Sequence, residues 1–173
     1  DTRKQSFEFV PGPIFANVVV ADELNRTGPR TQSALLEAMA EGLVSADGTV
    51  WPLPRPFLII ATQNLIETYG TFPLPNSQLD RFMIAMTLGL STLEQEMEIL
   101  RRSEQGPAPA GPLLSRAEVV EMQDTVARVE LAPSVQEYIV NLAAATRQGG
   151  DISVGVSPRG STVLPKACQA WAA

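Results

Sequence analysis

Histidine is absent from this chain of 173 residues, and cysteine occurs once, as Cys168. Without histidine, the chain can form neither an imidazole acid–base catalyst nor a histidine-ligated metal site. One cysteine cannot form an intrachain disulfide or a cysteine-rich zinc site. It suits a reducing compartment, so we expect a cytoplasmic protein. Long apolar runs are also missing, and none approaches the length of a membrane-spanning helix.

Basic residues are scarce as well. Lys and Arg total 13 against 19 Asp and Glu, which gives a net charge of −6. A general nucleic-acid surface requires clustered positive charge, so this balance argues against nucleic acid as a partner. The composition, with 45% hydrophobic and 18% charged residues, is typical of a soluble globular protein with one domain or two small ones.

The most informative stretch of the chain is the apolar run at residues 18–21, which leads directly into Asp22 and Glu23. An apolar run without alternation is typical of a strand buried on both faces, as in a parallel sheet under helices. Carboxylates are rarely buried unpaired, so the acidic pair should lie where the strand ends. Open α/β sheets bind their ligands at this end, although a buried strand followed by two acids also occurs by chance.

A helix and a hairpin are predicted after this strand. The helix should run over Pro29–Glu41, with Gln32 facing outward and Gly42 ending it. The Asp47-Gly48 pair then predicts a tight turn in a hairpin over residues 43–51.

Two more continuous apolar runs predict buried strands at residues 57–62 and 82–86. The first of these runs is followed by Gln63 and Asn64, which are again polar residues at a carboxyl end. From residue 90 onward the pattern predicts helices alone. Helix starts are indicated at Ser91 with Glu94, at Ser115 with Glu118, at Pro133 and at Ser157-Pro158. Pro165 should kink the last helix or end it early.

Four segments, taken in order, resemble the MoxR-type AAA+ ATPases. They are FANVVVADELNRTGPRTQSALLEAMAE at residues 15–41, ATQN at 61–64, LDRF at 79–82 and GVSPR at 155–159. The resemblance covers nearly the whole chain and implies an α/β fold. Residues 1–89 would form part of a P-loop-type, three-layer αβα AAA+ core. Residues 90–173 would form an all-α lid subdomain, truncated at its C-terminus.

The resemblance also implies a role for each polar residue at the strand ends, with ATP and magnesium as cofactors. Asp22, in the Walker B motif, would hold the magnesium ion, usually through water. Glu23 would orient and deprotonate the water that attacks the γ-phosphate. Asn64 matches the sensor-1 residue that helps to place this water. From the residue alone, a turn-forming asparagine after a strand is the alternative.

Two arginines match residues that contact the γ-phosphate in this family. Arg81 corresponds to the arginine finger, which reaches into the neighbouring subunit's site. The alternative is a surface pair of Asp80 and Arg81, which would contribute little. Arg159 corresponds to sensor 2 in the lid. As a solvated arginine in the first turn of a helix it would oppose the helix dipole, which favours an anion partner. Arg26 is a further candidate interface residue.

One half of the expected nucleotide site is missing from the sequence. No segment matches G-x-x-x-x-G-K-[ST], the loop whose backbone amides and lysine cradle the phosphates, and neither Lys4 nor Lys166 lies in a glycine-rich loop. In AAA+ proteins this loop follows the central strand, between the strands that correspond here to 57–62 and 82–87. We therefore expect a fragment with an incomplete sheet that alone neither binds ATP tightly nor hydrolyses it.

For the parent protein, the resemblance implies an ATP-hydrolysing ring chaperone that assembles or matures protein complexes. The ring would be a homo-oligomer, expected to be a hexamer, and its partners would carry von Willebrand factor A domains. The hairpin at 43–51 and residues near 7–13 would face the pore and contact clients. Two alternatives stay open. One is a different AAA+ role, as in magnesium chelatases or nucleic-acid motors, and the other is a non-catalytic assembly module.

Overall fold

The computed structural model describes residues 9–64, 66, 69–106, 111–150 and 152–173; Phe7 and Glu8 of the predicted client-contacting segment lie outside these residues. The strands are β1 (Val18–Ala21), β2 (Leu43–Ala46), β3 (Thr49–Pro52) and β4 (Leu58–Ala61). The helices are α1 (Pro29–Glu41), α2 (Asn76–Leu79), α3 (Leu93–Gln105), α4 (Arg116–Ala127), α5 (Pro133–Gln148) and α6 (Pro158–Ala172), with a 3-10 turn at Leu24–Arg26.

Strands β1 and β4 pair in parallel, with Val18 opposite Leu58 and Ala21 opposite Ala61. Their carboxyl ends therefore meet at one edge of the sheet, as the sequence predicts. The expected burial on both faces is wrong, because Val20 and Ile60 on one face are 64% and 49% exposed. Side chains alternate between the two faces of a strand, and the described residues cover only the face of Val19 and Ile59.

The predicted strand at residues 82–86 is also wrong. The segment has no regular secondary structure, and Met83, Ile84 and Met86 are more than half exposed. A strand is stabilised by hydrogen bonds to a neighbour, and no described strand pairs with this segment. The parallel sheet in the described part of the chain therefore has two strands, β1 and β4.

Helix α1 and the hairpin form as predicted. Pro29 begins α1, and Gly42 ends it in the left-handed conformation (φ 66°), where its N–H bonds the Ala38 carbonyl at 3.0 Å. The prediction that Gln32 faces outward is wrong, because this residue is only 2% exposed. Its amide nitrogen donates to the carbonyl oxygens of Leu24, Thr27 and Phe72 at 2.9–3.3 Å. The amide therefore ties α1 to the turn that precedes it and to the loop that contains Phe72.

The helices after residue 90 follow the capping signals with two corrections. The box at Ser115 and Glu118 is confirmed, but α3 is capped by Thr92 and Gln95, one residue later than predicted. Helix α6 begins after Ser157 as predicted, yet it continues through Pro165 to Ala172, so an early end is wrong. Packing of α6 against α4 and α5 offsets the hydrogen bond that proline cannot make. No helix in the described ranges is long and apolar enough to span a membrane.

Candidate functional site

The candidate site begins where β1 and β4 end side by side. The register that pairs Ala21 with Ala61 brings Asp22 next to Thr62. The Thr62 hydroxyl donates to Asp22 Oδ1 at 2.6 Å and accepts the backbone N–H of Glu23 at 2.9 Å. The Thr62 carbonyl accepts the N–H of Leu24 at 2.9 Å. Three successive residues of the acidic segment are thus held by Thr62, the residue that follows β4.

Glu23 has an unusual backbone conformation. Its φ and ψ angles are 48° and 50°, the left-handed region that non-glycine residues rarely adopt. Such a conformation costs about 1–2 kcal/mol and persists because the surroundings determine it, here through the bonds to Thr62. The Glu23 carboxylate lies 3.0 Å from Arg26 Nε, and both side chains are partly exposed. The carboxylate is therefore accessible at the sheet edge.

Asn64 lies at the same edge, beyond the end of β4. Its carbonyl accepts a hydrogen bond at 3.1 Å from the amide of Asn25, a residue that is 5% exposed. Its side-chain Oδ1 accepts the N–H of Ile66 at 3.1 Å, which is the bond of a turn-forming asparagine. Its Nδ2 donates to none of the residues that the structure describes. The geometry thus brings Asp22, Glu23 and Asn64 to one edge of the sheet.

Arg81 lies just beyond the short helix α2 and is exposed. Its Nη1 makes a long hydrogen bond, 3.4 Å, to the carbonyl of Leu36 in α1. Within the described ranges it forms no ion pair with Asp80, so the surface pair considered from the sequence is not present. The Asp80 carboxylate instead accepts a hydrogen bond from the Ser157 hydroxyl at 2.5 Å.

Arg159 is the second residue of α6 and is exposed at the helix N-terminus. Among the described residues, no hydrogen bond or ion pair joins Arg159 or Arg81 to Asp22, Glu23 or Asn64. The structure therefore assembles the acidic pair and the asparagine, and it connects the two arginine-bearing segments to each other through Asp80 and Ser157.

Sequence reasoning missed two residues that shape the site, Thr62 and Asp80. Thr62 could have been found from the parallel register, because the residue after Ala61 must lie beside the residue after Ala21. Asp80 carries no such local signal, since its partner Ser157 is 77 positions away in the sequence.

The donor chemistry at the sheet edge fits a hydrated magnesium ion. Mg²⁺ prefers carboxylate oxygens, usually keeps several waters and is completed by substrate phosphates. Asp22 offers such a carboxylate, with Oδ1 oriented by Thr62 and Oδ2 accepting no hydrogen bond from the described residues. The described residues contain no cluster of three or more acidic or cysteine side chains that could enclose a metal ion alone.

Comparison with known proteins gives consistent matches. The family model for the ATPase family associated with various cellular activities (AAA) matches residues 1–84. The uncharacterized protein YeaC of Bacillus subtilis (strain 168) is 44% identical over 99% of this chain and 54% of its own length. The chaperone MoxR1 of Mycobacterium tuberculosis (strain ATCC 25618 / H37Rv) is 36% identical over 98% of this chain and 47% of its own length.

A crystal structure of a proposed ATPase from Cytophaga hutchinsonii ATCC 33406 has the same fold. It superposes with a TM-score of 0.85 and 36% identity over 99% of this chain and 56% of that one. This chain thus spans about half the length of the curated relatives it matches.

The parallel strand pair and these matches show that the chain belongs to the AAA+ ATPase family and has an α/β fold. Within that family the chain is MoxR-like, as its 36% identity to the mycobacterial chaperone over 98% of this chain shows.

Proposed function

We propose that this chain supplies the hydrolytic half of an ATP site in a MoxR-type ring chaperone. The observation that carries the proposal is the Thr62 hydroxyl, which fixes the Asp22 carboxylate and the Glu23 backbone together at the carboxyl edge of the sheet. Strand ends of this kind are where open α/β sheets bind nucleotides. The printed name of the mycobacterial relative, a chaperone, supports the wider role.

Each residue has a task in this proposal. Asp22 would hold a magnesium ion through water, and that ion would neutralise charge on the phosphate oxygens. Glu23 would take a proton from the attacking water while the new bond to the γ-phosphorus forms and the bond to the ADP oxygen breaks. Asn64 would orient that water through its side-chain amide.

The arginines would complete the site from two directions. Arg159 would reach the γ-phosphate of its own protomer from α6, and its exposed position at a helix N-terminus supports an anion partner. Arg81 would act as an arginine finger on the neighbouring protomer, and its exposure supports that role. Arg26 binds Glu23 in this structure and would contribute at the same interface.

The larger assembly is part of the proposal. We propose a cytoplasmic homo-oligomeric ring, expected to be a hexamer, that remodels protein complexes with partners bearing von Willebrand factor A domains. Residues 1–89 would belong to the AAA+ core and residues 90–173 to the lid. The β2–β3 hairpin and the segment near residues 7–13 would face the pore. The ring centroids of Trp51 in the hairpin and Phe9 in that segment lie 4.0 Å apart, and this stacking supports joint movement of the two segments.

Substitution of Glu23 by Gln in the full-length protein tests the hydrolytic role. The amide keeps the size of the side chain but cannot accept the proton, so phosphate release should fall by roughly a hundredfold or more while ATP still binds. The measurements are steady-state phosphate release and nucleotide titration. Glu41→Gln, at the exposed end of α1, is the matched control and should hydrolyse normally. Normal hydrolysis by Glu23→Gln would refute the proposed base.

The 173-residue chain alone is predicted not to bind ATP tightly, because its sequence contains no phosphate-binding loop. Fluorescence titration with a labelled ATP analogue, beside the full-length protein, measures this difference. Equal affinities for the two proteins would contradict the prediction and would mean that Asp22, Asn64 and Arg159 suffice for binding.

A further inference from the structure

A hydrogen bond joins the segment that carries Arg81 to the helix that carries Arg159. Ser157 donates its hydroxyl to Asp80 Oδ2 at 2.5 Å, and both residues are half-buried. Hydrogen bonds to an ionised carboxylate are shorter and stronger than those between neutral groups. This contact therefore holds the two segments together more firmly than an ordinary surface contact.

Both ends of this bond belong to ordered turns. Asp80 caps α2 with its N–H on the Asn76 carbonyl at 2.9 Å, and the next residue, Arg81, bonds the Gln78 carbonyl at 3.1 Å. Ser157 is the N-cap of α6, and its hydroxyl also accepts the N–H of Gly160 at 3.0 Å. Movement of either turn would therefore act on the bond between Asp80 and Ser157.

The N-terminus of α6 is held from a second side by α5. Arg147 donates to the Val156 carbonyl at 2.6 Å and to the Ser161 hydroxyl at 3.0 Å. Gly155 approaches this arginine so closely that an added Cβ would lie 2.8 Å from the Arg147 Cα. Rotation of α5 and α6 would thus reach Asp80 through Ser157.

We propose that Asp80 is a positioning residue that couples the lid helix to the arginine presented to the neighbouring protomer. This inference rests on the proposed function, in which Arg159 acts on a protomer's own nucleotide and Arg81 on its neighbour's. Asp80 directly precedes Arg81, and Ser157 lies two residues before Arg159. Movement of α6 during turnover at one site is therefore transmitted to Arg81 and to the next site in the ring.

A double-mutant cycle in the full-length protein tests this coupling. Its variants are Asp80→Ala, Ser157→Gly and the two combined, and the readouts are kcat and KM for ATP. Glycine is chosen at position 157 because it preserves an N-cap almost as well as serine. Asp80→Ala should lower kcat roughly tenfold with KM changed less than about threefold, because one charge-assisted bond is lost and nucleotide contacts remain.

Two features of the result identify a positioning role. In the Ser157→Gly background, Asp80→Ala should have no further effect on kcat, since the bond is already absent. Asp80→Asn should regain most of the activity, because its amide oxygen can accept the same hydroxyl. Asp124→Ala on α4, which removes a carboxylate paired with Arg55 at 3.8 Å, is the matched control and should leave kcat unchanged.

An unchanged kcat in Asp80→Ala, or an equal loss with and without the Ser157 hydroxyl, would overturn the inference. Glu23→Gln measured in the same series separates this failure from failure of the proposed function. If Glu23→Gln abolishes hydrolysis and Asp80→Ala does not affect it, the ATPase assignment stands and the coupling is wrong. Normal hydrolysis by Glu23→Gln would instead reject the assignment on which the coupling rests.

Discussion

At the scale of single residues, Thr62 organises the acidic edge of the sheet. Its hydroxyl serves as donor to Asp22 and as acceptor for the Glu23 backbone, so one oxygen sets both the carboxylate and the strained turn beside it. Strain of this kind is stored at sites where the surrounding structure over-determines the backbone. Loss of this hydroxyl should therefore disturb the orientation of the acidic pair more than it lowers the stability of the whole protein.

Substitution of Thr62 by Val removes the hydroxyl while keeping the branched shape. We expect phosphate release by the full-length protein to fall at least roughly tenfold, with unfolding free energy lowered by about 1 kcal/mol, because the lost bonds lie at an exposed edge. Thr62→Ser should retain activity. Thr49→Val on strand β3 is the control for the same chemical change, and a Thr62→Val protein as active as this control would contradict the prediction.

At the scale of elements, helices α3 and α4 begin with the same kind of capping box but should respond differently to pH. Helix α3 is capped by Thr92 with Gln95, and α4 by Ser115 with Glu118. The Ser115 backbone N–H and then its hydroxyl hold the pKa of Glu118 below its ordinary value near 4.5. Gln95 cannot titrate, so of these two caps the cap of α4 should depend on pH and the cap of α3 should not.

Lowering the pH should weaken the α4 cap. Because the folded pKa is depressed, the contribution of Glu118 to stability is present above its unfolded pKa and is lost as pH falls through the folded value. The difference in unfolding free energy between the natural chain and Glu118→Gln, measured by chemical denaturation, should shrink as the pH falls below the unfolded value near 4.5. Gln95→Glu should introduce a similar dependence at α3, and a pH-independent difference for Glu118→Gln would refute the cap assignment.

The elements also show which structural features could be predicted from sequence. Gly42, Pro133 and Ser157-Pro158 act through local backbone chemistry, and the helices begin or end there as predicted. The cap of α3 lies one residue later than predicted because Ser91 and Thr92 are adjacent hydroxyls, each with an acceptor three residues later, so the capping-box pattern alone does not select between them.

Features that need a distant partner could not be predicted. The segment at 82–86 has the composition of a buried strand, but a strand forms only where a neighbour supplies its hydrogen bonds. Gln32 appears solvent-facing by helical periodicity, and its burial depends on carbonyls of two loops. For the site, the acidic pair and Asn64 were placed at one edge by strand polarity alone, whereas the Asp80 contact required the folded chain.

At the scale of the whole molecule, apolar surface marks where further contacts are expected. One face of the β1–β4 pair is exposed at Val18, Val20, Leu58 and Ile60, and the segment that follows Arg81 is exposed at Met86 and Leu88. Contiguous exposed apolar surface usually indicates a contact with another segment or protein. Arg81 directly precedes the second of these exposed segments in the sequence.

The central claim is a nucleotide site shared between protomers, with the acidic pair of one protomer and Arg81 of the next. Mixing full-length Glu23→Gln and Arg81→Ala proteins tests it most directly, since each is expected to be inactive alone. In mixed rings, roughly one interface in four pairs an intact Glu23 with an intact Arg81 across a head-to-tail contact. If the site is shared, ATPase activity should reappear on mixing, in proportion to such interfaces. Mixed rings that stay as inactive as either variant alone would contradict it.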